Sequence, residues 1–278
     1  MNYDQKQVFK NILEKLKIYD LFFYCYRLKH YLRHKKCEIN SKKRSSGKIV
    51  KRYIRLKQYE KIHNGERCFI IATGPSLTVD DLEKLKNEYT FSMNSIYKIF
   101  DKTDWRPTYF GIQDKNVYNI LSKDIRFCEL RNKFIADIIA DEFSVSDDSI
   151  LVPLDMMNHL YYKLKTFDTK FSDNAYSIIY DGGTITYTLM QLAVYMGFKE
   201  IYLLGCDCDY NGEKQHFADY GLTVNINDRP EAKMFNAYKT AKEYADKHDI
   251  KIYNASRGGK LEIFERVNFD ELFSISRL

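Results

Sequence analysis

Two carboxylates one residue apart, Asp207 and Asp209, follow an apolar run that ends at Gly205. Oxygen ligands of this kind suit hard divalent cations such as Mg²⁺ or Mn²⁺, so the pair is a candidate metal site. The alternative is that Asp207 contacts a ribose or base while Asp209 orders the loop. Tyr210, next in the chain, can donate a hydrogen bond to a leaving phosphate. His216 lies in a polar loop with Asp219 nearby, and imidazole titrates close enough to neutrality to serve as a general base. The other histidines are less well placed: His30, His34 and His63 lie in a basic leading segment, His159 in a connection and His248 near a helix end. Tyr220 is a further hydroxyl donor, although most of the 23 tyrosines must simply pack.

Two small-residue turns are candidate phosphate cradles. The run Cys68-Phe69-Ile70-Ile71-Ala72 breaks at Thr73-Gly74-Pro75-Ser76 before a helix. A buried strand that stops this way leaves amides at a helix start, where anions bind. Gly182-Gly183-Thr184 offers a second cradle, with Thr184 able to cap the following helix; a tight loop with an ordinary cap is the alternative. Neither turn continues into Gly-Lys-Ser or Gly-Lys-Thr, which excludes a P-loop kinase. A nucleotide- or phosphate-binding enzyme is the expectation.

These residues need a frame, and the hydrophobic pattern supplies an alternating one. Strands are expected at residues 68–72, 89–93, 108–112, 133–139, 200–204 and 251–253, with helices after Thr78, after Thr184 and over 230–247. Strands separated by helices imply an α/β, Rossmann-like, mostly parallel sheet covered on both faces. Ligands of such sheets sit at the carboxyl ends of the strands. There the sequence places Thr73, Gly74, Pro75 and Ser76, then Asn94, then Gln113 and Asp114, then Asp207, Asp209 and Tyr210, and finally Asn254, Ser256 and Arg257. Each alone also reads as an ordinary strand terminator. Arg257 and Lys260 could neutralise a diphosphate at the mouth.

The 278 residues are 45% hydrophobic and 15% aromatic, enough for one large core and an appendage. Charge is uneven: residues 1–67 hold 19 Lys or Arg against 6 Asp or Glu, and the rest holds 25 against 32. A basic arm on a mildly acidic body follows. Val8, Phe9, Ile12, Leu13, Leu16, Tyr19, Phe23 and Tyr26 form an amphipathic helical stripe, and Lys35, Lys36, Lys42, Lys43 and Arg44 add a basic cluster. Such an arm can lie on an anionic membrane. It can equally pack on the body or on a second subunit, giving a homo-oligomer. No nucleic-acid-binding motif is present, so no nucleic-acid partner is expected. Residues 41–47 read as a linker, which divides the chain into an arm and linker, 1–64, and a Rossmann-like catalytic domain, 65–278. Six cysteines without a CxxC pair, no signal peptide and no run of ~20 apolar residues predict a cytoplasmic protein, or one peripheral on the inner face of the membrane.

In order along the chain, residues 70–77, Phe91-Ser92-Met93-Asn94, Gly183-Thr184, residues 197–207, Tyr253-Asn254-Ala255 and Gly258-Gly259-Lys260-Leu261-Glu262 resemble the MptE-like family. That family includes archaeal 6-hydroxymethylpterin diphosphokinases and a domain of flagellin-glycosylating motility accessory factors. The resemblance spans about residues 65–270. Asp207-Cys208-Asp209 resembles the DxD element of nucleotide-sugar transferases. More distantly, Gly74-Pro75-Ser76, Asn94 and Gly205-Cys206-Asp207 with Asn211-Gly212 are similar to bacterial lipooligosaccharide sialyltransferases. This similarity implies that the loop and Asn94 bind the CMP part of a donor, that a tyrosine assists the leaving phosphate and that a histidine is the base. Tyr210 stands one residue from that family's tyrosine, and His216 comes earlier than its base. The expected function is a glycosyltransferase moving a sugar, sialic-acid-like in one version, from a nucleotide-activated donor, CMP-type favoured, to a cell-surface or capsular glycan. Gly74, Ser76, Asn94 and Thr184 would hold the nucleotide, Asp207 would orient it and His216 would deprotonate the acceptor. The alternatives are diphosphate transfer from ATP with Mg²⁺ on Asp207 and Asp209, and a non-catalytic nucleotide-binding component of a polysaccharide assembly complex.

Overall fold

The computed structural model describes residues 19–128, 130–157, 169–209, 216–217 and 230–273, with Gln5, Gln7, Val8, Asn11 and Ile12 from the leading segment. In chain order the elements are α1 (Tyr19–Ser45), α2 (Ile54–Lys57), β1 (Arg67–Ile71), α3 (Val79–Lys84), β2 (Thr90–Met93), β3 (Tyr109–Ile112), α4 (Lys115–Phe127), β4 (Lys133–Ala136), α5 (Asp137–Ala140) and β5 (Ile150–Val152). They continue as β6 (Leu154–Asp155), β7 (Ile179–Tyr180), α6 (Ile185–Met196), β8 (Glu200–Leu204), α7 (Pro230–Lys247), β9 (Lys251–Asn254) and β10 (Glu265–Arg266).

Eight strands form one sheet in the order β10-β9-β8-β1-β2-β3-β4-β5, and every pairing is parallel. A parallel sheet must be covered on both faces, which is why β1 carries an unbroken apolar run: Cys68, Phe69, Ile70 and Ile71 are wholly buried. From β1 the chain first travels outward to β5, then returns to β8 and travels the other way. With right-handed crossovers, that reversal puts the helices of the two halves on opposite faces. In register, Phe69 faces Tyr202 and Tyr202 faces Tyr253, with rings stacked 5.1 Å apart in each case. This aromatic row ties β1, β8 and β9 together.

Helix α3 starts where Thr78 predicts it, through a capping box in which the Thr78 hydroxyl accepts from the Asp81 amide and Asp81 accepts from the Thr78 amide. Several expectations need correction. Strand β4 stops at Ala136 and passes directly into α5; β5 and the small parallel pair β6–β7 carry too few residues for a periodic signal; and β10, not β9, is the last strand. Residues 41–45, expected in a linker, are the last turn of α1. Packing of the body also begins before Gly65: Tyr53, Leu56 and His63 are buried, and His63 stacks on Phe198 at 4.5 Å while bonding Tyr109.

The second half of α1 is fastened to the body. His34 Nδ1 lies 2.5 Å from Asp155 Oδ2, Arg44 donates two hydrogen bonds to the Ser177 carbonyl, and the Ser41 and Ser45 hydroxyls meet the Ser177 hydroxyl at 2.6 and 2.7 Å. Of the expected apolar stripe, Val8 and Ile12 are exposed and Tyr26 is half-buried. The side chains of Phe9, Leu13, Leu16, Tyr19 and Phe23 lie outside the described residues.

Arg257 does not stand at an open mouth. Its guanidinium donates to the fully buried Asp81 carboxylate, with Nη2 to Oδ1 at 2.6 Å, and to Asp270, pinning α3 to the C-terminal segment. Arg257→Leu leaves Asp81 buried without its counter-charge, so it should cost about 3 kcal/mol in urea unfolding. Adding Asp81→Asn to that variant should recover part of the loss, a result that would separate lost pairing from lost packing.

Candidate functional site

The carboxyl ends of β1, β2, β3 and β8 open on one cleft of 290 Å³. It lies at the reversal of strand order beside β1, where open α/β sheets hold ligands. Strand β1 delivers Thr73 and Gly74, β2 Asn94, and β3 Gln113 and Asp114; the entry to α6 delivers Gly183 and Thr184, and β8 Asp207 and Asp209. His216 also lines the wall, and the amide of the following Phe217 donates to the Thr73 carbonyl at 2.9 Å. Most of the residues expected to meet therefore do meet. Tyr210 and Tyr220 lie outside the described residues. Pro75 is exposed, and neither it, Ser76 nor Asn254 lines the cleft.

The Gly-Pro-Ser loop is built differently from a cradle of open amides. The Gly74 amide donates to the Gly205 carbonyl at 2.9 Å, and the Leu77 amide to the Gly74 carbonyl at 3.2 Å. The Ser76 amide donates to Asp207 Oδ2 at 2.9 Å, and its hydroxyl to Asp207 Oδ1. With Thr78 engaged by Asp81, these amides are paired within the protein. The loop is instead a buckle between the β1 and β8 ends. Gly74 is required by contact distance: a Cβ there would lie 2.4 Å from the Gly205 carbonyl oxygen and 2.6 Å from Asp207 Oδ2.

Asp207 is correspondingly committed. It is buried, and both its oxygens accept from Ser76. Asp209 accepts from Lys260 Nζ at 2.9 Å. Among the described residues no three His, Cys, Asp or Glu side chains group as a metal set. A divalent ion on Asp207 and Asp209 would have to displace both partners, so the pair as arranged does not fit the metal role.

Behind Asp207 stands a second turn that the strand pattern did not mark as part of the site. The Lys260 amide donates to the Asp207 carbonyl at 2.7 Å. Gly259, at φ +85°, lies so close that a Cβ would sit 2.1 Å from the same oxygen. Asn254 is wholly buried and holds this turn: its Oδ1 accepts from the Ser256 amide at 3.0 Å and its Nδ2 donates to the Leu261 carbonyl at 2.6 Å. Ser256 in turn accepts from the Cys206 amide at 2.9 Å. Asn254 thus supports the site from below.

On the other wall Asn94 adopts φ +49°, a left-handed conformation that asparagine tolerates better than most residues. Asp114 caps α4 through bonds from the Asn116 and Val117 amides, and Thr184 caps α6 through the Thr186 amide. Between them lies Asp181, which sequence reasoning missed as a site residue. Its Oδ1 accepts from Gln113 Nε2 at 3.1 Å and from the Gly183 amide at 3.0 Å. Gln113 is fixed from its other end by the Thr188 hydroxyl at 2.5 Å. The available signal was an acidic residue directly before Gly182-Gly183. Burial pushes the Asp181 carboxyl up to about 6.

A doubly wound parallel sheet with a ligand-sized cleft at its switch point defines the class as a nucleotide-binding type of α/β protein. The family model for 6-hydroxymethylpterin diphosphokinase MptE-like proteins matches residues 44–213, more than half of the chain, and the chain belongs to the MptE-like family. No curated protein matches it by sequence. Among solved structures it is similar to the MAf glycosyltransferase from Magnetospirillum magneticum AMB-1, at 15% identity and a TM-score of 0.48. That match covers 79% of this chain, which spans only 38% of the other. It is also similar to the sialyltransferase CstII from Campylobacter jejuni in complex with cytidine-5'-monophosphate, at 16% identity and a TM-score of 0.47, covering 73% of this chain and 85% of that one.

Two predictions follow from this geometry. Gly74→Ala should force the buckle apart and cost about 1–3 kcal/mol of stability, measured by urea unfolding. Asp181 is an acid whose folded pKa is raised above its unfolded value, so it opposes folding at neutral pH and that penalty disappears as pH falls from above 6 towards 4. Asp181→Asn should therefore raise stability by about 1–3 kcal/mol at pH 7 and by nearly nothing at pH 4, a difference readable from paired melts.

Proposed function

We propose that this chain is a nucleotide-dependent transferase, and specifically a glycosyltransferase that takes a nucleotide-activated sugar with a CMP-type donor favoured. The observation that carries the reading is the convergence of Thr73, Asn94, Gln113, Asp114, Gly183 and Thr184 with one imidazole, His216, on a single cleft at the carboxyl edge of the sheet. Asn94, Gly183 and Thr184 hold the nucleotide beside the start of α6, whose dipole favours the phosphate. His216 accepts the proton of an acceptor hydroxyl. The acceptor oxygen then bonds to the anomeric carbon as the bond from that carbon to the leaving phosphate oxygen breaks. Lys260, beside Asp209, supplies a positive charge near the departing phosphate. The acceptor is a cell-surface or capsular glycan, and the work is done at the cytoplasmic side.

A second reading, diphosphate transfer from ATP, is favoured by the description of the matching family. It needs a divalent ion, and hence the release of Asp207 from Ser76, which the sugar-transfer reading does not. A non-catalytic nucleotide-binding component would bind donors without turnover.

Thermal melts with CMP, CDP, UDP and ATP, each with and without Mg²⁺, separate these readings. Selective stabilisation by CMP without metal is expected; stabilisation by ATP only with Mg²⁺ would favour the second reading. With a CMP-sugar as donor, His216→Ala should lower turnover on the order of 10²–10⁴-fold and leave the CMP-induced shift in place. Unchanged turnover in that variant would remove His216 from the role of base.

A further inference from the structure

Helix α1 has two faces with different tasks. His34, Ser41 and Arg44 bond the body on one side. On the opposite side Leu21, Leu28, Leu32 and Ile39 recur at intervals of seven, four and seven residues, which places them within about 40° of one line along the helix. They are 63%, 44%, 58% and 54% exposed, an unusual fate for four large aliphatic side chains in a row. The stripe runs about 27 Å along the helix. It is bordered by the exposed Lys29, Lys36 and Lys43 on one flank and by Lys35 and Lys42 on the other, with exposed Tyr24 and Tyr31 beside them. Tyr26, from the stripe expected in the sequence, is eighteen residues before Arg44 and so shares the body-facing side. The outward face is thus a different stripe from the one the leading residues suggest.

We infer that this outward face of α1 lies on an anionic membrane leaflet, with Leu21, Leu28, Leu32 and Ile39 at the acyl boundary and the flanking lysines among the headgroups. Charge selects this occupant. Residues 19–45 carry eight Lys or Arg against two Asp or Glu, so packing the same face of a second copy against it would bring like charges together. An anionic leaflet complements both the apolar line and its cationic borders. Because α1 is fixed to Asp155 and Ser177, the helix cannot roll to hide the stripe without breaking those bonds. Asp155 directly precedes Met156 of the cleft wall, so a seated helix holds the cleft at a set position relative to the lipid. This inference does not depend on which group is transferred.

The test is co-sedimentation of the full chain with vesicles of phosphatidylcholine alone and of equimolar phosphatidylcholine and phosphatidylglycerol, across a salt series. Binding to the anionic vesicles only, weakening as salt rises, is expected. Leu28→Glu with Leu32→Glu should cut that binding on the order of tenfold or more at an unchanged melting temperature, and so should Lys29→Gln with Lys36→Gln and Lys43→Gln. Equal binding to both vesicle types, no binding to either, or wild-type binding by both variants would overturn the inference. So would a wild-type dimer in analytical ultracentrifugation that Leu28→Glu dissociates, since a second copy would then cover the face. Should the leucine variant melt early, the lysine variant and the wild-type salt series decide alone.

Discussion

The candidate site depends on the bond between two loop ends: Ser76, just past β1, holding both oxygens of Asp207, just past β8. These strands are adjacent in the sheet but 131 residues apart in sequence, and their C-terminal turns meet where the chain reverses direction across the sheet. Gly74 permits the approach, since no side chain fits between the turns. A carboxylate accepting two bonds from one serine, one of them from its amide, is held by charge-assisted interactions stronger than ordinary ones. Every other cleft residue is positioned relative to that buckle.

Much of the frame was legible because parallel sheets write themselves as apolar runs separated by amphipathic helices. β8 and α7 appear at their predicted bounds, and the cap at Thr78 follows from the Thr-x-x-Asp spacing. What failed was short or long-range. β5, β6, β7 and β10 have two or three residues each, below the length at which a period can be seen. The last turn of α1 reads as a polar linker because its serines and Arg44 face Ser177, a partner 132–136 positions away.

The site was legible in its membership more than in its roles. Counting polar residues after strands found Asn94, Gln113, Asp114 and Asp207, because any ligand of such a sheet must sit there. Sequence could not tell which of them face a ligand and which face each other. Asp207 and Asn254 both bond protein groups, the first to hold the loop and the second to hold the turn beneath it. Asp181 was overlooked because it follows a two-residue strand with no pattern of its own. It is nonetheless the acid most altered by burial in the cleft wall.

The turn that backs Asp207 comes from residues 256–260, well past position 213, where the family match stops. A shared segment can therefore supply the visible walls of a pocket while the part that sets their rigidity is contributed by whatever follows. Relatives with unrelated tails could keep the same lining yet grip it more loosely or more tightly. Divergence among them would then show first in how readily the aspartate changes partner, before any residue touching a ligand has changed.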